Sequence, residues 1–161
     1  MKEVAIAEET IGKALRKRLR NSKKSIGNMG LRQQFKIRKY DWDVVIYYTV
    51  DEKQKTEIVT ELKELQPDKE TFEKLERNLM NSEPDTGFIY SSFYKKFSLI
   101  VIHKASSIGE FVNTFEHEKN HLEMHICEAL DINPYSEEAA ILSGETAMQI
   151  LNEALYNIAE L

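Results

Sequence analysis

The chain has 161 residues, 42% of them hydrophobic, with 22 Lys or Arg against 27 Asp or Glu and a net charge of −5. That is enough apolar material for one domain with a true core, and no apolar run approaches the ~20 residues a membrane span needs. Met1-Lys2-Glu3-Val4 opens no signal peptide and the single cysteine, Cys127, excludes an internal disulfide, so a cytoplasmic setting is expected.

The charge is unevenly spread. Residues 1–40 hold 12 basic side chains against 3 acids, whereas residues 41–161 hold 10 against 24. Ile11, Leu15 and Leu19 form a short apolar stripe among Lys13, Arg16, Lys17, Arg18 and Arg20, which predicts a basic amphipathic helix followed by a flexible segment from Asn21 to Gly30. Residues 1–40 are therefore expected to be a basic arm, appended to a domain over 41–161. Its stretch 11–39 suits nucleic-acid phosphates, an anionic surface or an acidic partner, the body of its own chain included.

Trp42 to Val50 is rich in β-branched and aromatic residues and predicts a buried strand. Lys55 to Gln66 carries Ile58, Val59, Leu62 and Leu65 at helical steps and is broken by Pro67. Asp68 caps the next helix, with Phe72, Leu75 and Leu79 inward. After a turn cluster over 81–87, Phe88–Phe93 and Phe97–His103 predict a hairpin across Tyr94-Lys95-Lys96. Serine three residues ahead of Glu110 then opens a helix over about 107–130, with Val112, Phe115, Leu122, Ile126 and Ala129 inward and Lys119 the one break. Pro134 ends it, and Ser136 caps a last helix with Ala140, Ala147, Ile150, Leu151, Ala154 and Ile158 on its buried side. The fold class expected is α+β, small and mostly helical, with a short β-sheet or hairpin leading into the 107–130 helix.

That helix carries the chemistry. His117-Glu118-Lys119-Asn120-His121 is an HExxH sequence. Histidines four residues apart share one helix face and suit a single Zn²⁺, with Glu118 beside them as general base for the water that the metal activates. A catalytic zinc takes a third protein ligand. His125 lies ~12 Å along the axis from His117, so the next helix is the better source: Glu137 first, Glu138 second and Glu145 third, by their angles on a helical wheel. For an oxyanion or substrate donor, Tyr90, His103, Tyr135 and Tyr156 are available; His103 at a strand end and Tyr135 beside the candidate carboxylates are preferred.

HExxH on one helix, followed by a glutamate on the next, resembles the gluzincin-type zincin metallopeptidases. Glu137-Glu138-Ala139-Ala140 is similar to the ExxA segment of the ImmA/IrrE-like members. The resemblance implies a zinc peptidase acting on a protein or peptide, with His117, His121 and Glu137 as ligands and Glu118 as base. It also implies that residues 88–103 hold extended substrate by strand addition. The run from Thr86-Gly87-Phe88 through HExxH to Ser136-Glu137-Glu138 also looks like uncharacterised small proteins of phages and mobile elements. The alternative expectation is thus a non-catalytic zincin-like protein whose basic arm binds nucleic acid or an assembly.

Overall fold

The strands Trp42–Tyr48 (β2) and Phe97–Ile102 (β4) are nearly continuous apolar runs, and such strands are stable only with both faces covered. In the computed structural model, which describes residues 30–158, they lie parallel at the centre of a four-stranded sheet. Leu31–Ile37 (β1) pairs antiparallel with β2, and Gly87–Ser92 (β3) antiparallel with β4, giving the order β1-β2-β4-β3. The hairpin expected before the HExxH helix is β3–β4, with Ser91 directly opposite Ser98.

Alternation decides which side chain meets which layer. Trp42, Val44, Ile46, Ile100 and Ile102 point to one face, where they pack on Ile108–Ala129 (α3) and Glu137–Ile158 (α4) through Phe111, Phe115, Leu122, Ile126, Leu142 and Ile150. Val45, Tyr47, Leu99 and Val101 point to the other, against Glu52–Leu65 (α1) and Lys69–Asn81 (α2) through Ile58, Leu62, Leu75 and Leu79. The domain is α+β, mostly helical, with two helices on each face of the sheet. Among the described residues no helix is long and apolar enough to cross a membrane.

Each helix begins where a side chain takes up a free amide. Asp51 accepts from Gln54 N, and Gln54 reaches back to the Asp51 amide as a capping box, so α1 starts three residues before the expected Lys55. Asp68 accepts from Thr71 N at 2.9 Å and Ser107 from Glu110 N at 3.2 Å, while Ala139 N donates to Ser136 Oγ at 3.2 Å.

Two expectations change. The expected arm of residues 1–40 gives up its last ten residues to the domain, because β1 is an integral strand. Its Gln33 is buried, accepting from Tyr48 Oη at 2.8 Å and donating to the Gln149 carbonyl at 3.0 Å. Three of the four basic side chains of residues 31–40 are paired within the chain: Arg32 with Glu61 at 2.9 Å, Lys36 with Asp41 and Asp43 at 2.8 and 3.2 Å, and Lys39 with Glu138 at 3.0 Å. The basic helix expected over Ile11, Leu15 and Leu19 lies outside the described residues. The buried side of α4 is also turned relative to expectation. Leu142, Thr146 and Ile150 are fully buried, whereas Ala140 and Leu151 are exposed.

Candidate functional site

At the β3 edge of the sheet, α2 from one face and α3 from the other close around the strand. The space between them is a cavity of about 380 Å³ lined by Thr71, Lys74 and Asn78 of α2, Gly87 to Tyr90 of β3, and His117, Glu118, His121 and His125 of α3. The HExxH motif therefore faces an edge strand, with Glu118 buried against it and His117 exposed.

The approach of α3 to β3 is set by small contacts. Asp85, at φ 60°, accepts from the Ser106 hydroxyl at 2.6 Å, and its carbonyl accepts from Thr114 Oγ1 at 3.1 Å, which ties the start of β3 to the first turns of α3. Gly87 comes next and lies directly against the helix. A Cβ there would stand 3.1 Å from Glu118 Cγ and 2.7 Å from the Val101 carbonyl oxygen. Only a residue without a side chain lets Glu118 reach the strand.

His117 and His121 converge, their Nε2 atoms 3.2 Å apart and their rings edge to face. Glu118 is 5% exposed, and burial pushes its carboxyl above the ordinary carboxylate range while the neighbouring His117 pulls it down by less. His125 meets Ser91 Oγ through Nδ1 at 2.9 Å and packs beside Phe93, with its ring centroid 6.1 Å from that of His121. Burial, then the nearby His121, lowers its pKa. Tyr90, whose hydroxyl is pushed up by burial and by Asp68, is the tyrosine that lines the cavity.

The other expected site residues lie elsewhere. Glu138 accepts from Tyr40 Oη at 3.2 Å and pairs with Lys39, whose ammonium holds its carboxyl below the usual range. Glu137 is exposed on the far side of α4 from Leu142 and Ile150. Neither reaches the cavity, and Glu145 instead borders a separate pocket with Phe35 and Arg38. The physical reason is the side on which α4 packs. It lies along the Lys119 face of α3, where Lys119 Nζ sits 3.4 Å from Ser143 Oγ, and the histidines open away from that face. His103 is buried beside Phe88, its Nδ1 without a hydrogen-bond partner among the described residues, and Tyr135 is 95% exposed in the α3–α4 connection. The side chain of Tyr156 lies outside the described residues.

The pair of imidazoles fits a zinc ion in part. Two nitrogens each ~2.0–2.1 Å from one zinc in tetrahedral geometry stand roughly 3.3 Å apart, close to the 3.2 Å seen between His117 and His121. The third protein ligand is missing: among the described residues no three His, Cys, Asp or Glu side chains are grouped to hold a metal. No family model, no curated protein and no solved structure matches this chain.

Proposed function

We propose that the protein is a zinc-dependent peptidase. The observation that carries this reading is the His117–His121 pair, spaced as at one zinc, opening with the buried Glu118 onto a cavity along an edge strand. His117 and His121 would hold the metal, with the third protein position unassigned. Zinc held there would supply Lewis acidity toward a carbonyl oxygen and toward water.

The chain's own groups do the rest. Glu118 takes a proton from water at a carboxylate oxygen and returns it to the leaving amine nitrogen. Its raised pKa suits both halves of that exchange, because a group that titrates nearer neutrality gives a proton back more readily than an ordinary carboxylate. Among the described residues β3 pairs with β4 on one side only, so its other edge offers backbone amides and carbonyls to an extended peptide.

The test is metal content and hydrolysis in the full chain. Elemental mass spectrometry of protein purified without added zinc should find about one zinc per chain, lost in His121→Ala. Glu118→Gln should keep the zinc and lose cleavage of denatured casein. Glu138→Gln should keep both, since its carboxylate is engaged with Lys39 and Tyr40. No uptake at low micromolar zinc, or cleavage persisting in Glu118→Gln, would overturn the proposal.

A further inference from the structure

A file of hydrogen bonds crosses the sheet beneath the cavity. Trp42 Nε1 on β2 donates to Ser98 Oγ on β4 at 2.9 Å; Ser98 Oγ is 2.7 Å from Ser91 Oγ on β3; Ser91 Oγ is 2.9 Å from His125 Nδ1 on α3. The pairing of Ser91 opposite Ser98 puts both hydroxyls on the same face of the sheet. Trp42 and Ser98 are wholly buried, so no solvent competes at that end.

The direction of the first two steps is fixed by the first member. An indole nitrogen only donates, so Ser98 Oγ is an acceptor toward Trp42 and must place its own proton elsewhere. Among the described residues Ser91 Oγ is its one further partner. Ser98 therefore donates to Ser91, whose own proton has His125 Nδ1 as its acceptor among the described residues. Were Nδ1–H instead to donate to Ser91, the Ser91 hydroxyl would have no acceptor among the described residues for its own proton. Nδ1 is therefore the bare nitrogen of a neutral ring, and the proton sits on Nε2. Since Nδ1 is turned to the sheet and His125 lines the cavity, Nε2–H is the edge offered to a ligand.

We infer that Trp42, Ser98 and Ser91 lock His125 as a neutral Nε2–H donor to a carbonyl oxygen of bound peptide. His125 is thus a substrate-binding group and not the missing metal ligand, which would need a bare Nε2. The substrate role rests on the peptidase reading; the locked tautomer does not.

Both parts are testable in the full chain. In the metal-free protein with ¹⁵N-labelled histidine, long-range nitrogen–proton correlations at alkaline pH should show one histidine, assigned by its loss in His125→Phe, wholly as the Nε2–H form. Ser91→Ala should release it to a mixture, and Ser91→Thr, which keeps the hydroxyl, should restore it. With zinc loaded, His125→Phe should lower the kcat for casein by about 10²-fold at unchanged zinc content, the usual effect of losing one oxyanion donor. Ser91→Ala should give a smaller loss that Ser91→Thr recovers. An Nδ1–H form in the parent, or a tautomer indifferent to Ser91→Ala, overturns the inference while leaving the peptidase reading intact. A locked tautomer in a parent that binds no zinc and cleaves nothing ends the peptidase reading and the substrate role with it, and only the lock survives.

Discussion

Gly87→Ala puts the helix-to-strand contact under direct test. The backbone at Gly87 is not in the left-handed region, so alanine is acceptable there by conformation, and limiting the unfolded chain would by itself stabilise by ~0.4–1 kcal/mol. Space decides the other way. The new Cβ meets the Val101 carbonyl oxygen at 2.7 Å and Glu118 Cγ and Thr114 Cγ2 at 3.1 Å. Ordinary non-bonded contact lies near ~3.5 Å, so α3 and β3 must separate by roughly half an ångström. Val101 lies in β4, held between β2 and β3, and Glu118 in a helix backed by α4, so neither wall yields freely. Overpacking of this kind costs ~1–3 kcal/mol, leaving a net loss of about 1–2 kcal/mol. Urea denaturation followed through the single tryptophan, Trp42, measures it. The control is Gly144→Ala, mid-helix in α4 with nothing within 4 Å of its Cβ, which should gain up to ~1 kcal/mol. A Gly87→Ala protein as stable as the parent would refute the argument that glycine is there for closeness.

Glu118→Gln should stabilise the metal-free protein at pH 7 by about 1 kcal/mol, because it removes a carboxylate that burial disfavours. The sign follows from the raised folded-state pKa. The folded chain keeps a proton that the unfolded chain releases near 4.5, so the stability of the parent is greatest below that value and falls as pH rises through the folded pKa. The advantage of the Glu118→Gln variant over the parent should therefore vanish by about pH 4 in urea titrations, and a constant advantage across pH would contradict it. Leu122→Ala, in the wholly buried centre of α3, should cost about 3–5 kcal/mol by the same assay. Ser107→Ala removes the N-cap of α3 and should cost roughly 1 kcal/mol, with a loss below about 0.3 kcal/mol counting against the cap.

The HExxH helix, its cap, the β3–β4 hairpin and the Asp68-capped helix are legible in the sequence because each rests on a local signal. β1 is also written there, as Leu31, Gln33, Phe35 and Ile37 alternating with Arg32, Gln34, Lys36 and Arg38. The run of basic charge hides it, and the partners that give it meaning, Tyr48 and Gln149, are distant in sequence. The face of α4 is misjudged for a different reason. Ala139, Ala140, Ile141 and Leu142 are consecutive, so periodicity alone leaves the helix free to turn, and contacts with β1 and α3 choose Leu142 and Thr146. That turn carries Glu137 outward. The contribution of α2 to the cavity, and of Ser91 and Ser98 to His125, depends on sheet order, which no local pattern states.

Lys119 gives α3 a fixed roll. It is 5% exposed, with its ammonium 2.8 Å from Glu123, 3.5 Å from Glu116 and 3.4 Å from Ser143 on the neighbouring helix. Glu118, one residue earlier and ~100° around the axis, faces the cavity. The two adjacent side chains share one roll of the helix, one anchored in polar company and one presented for chemistry. A substitution at Ser143 or Glu123 that lets the helix turn by a fraction of that angle would swing Glu118 and both imidazoles together. The aim of the cavity is therefore set from the side of α3 that no ligand touches.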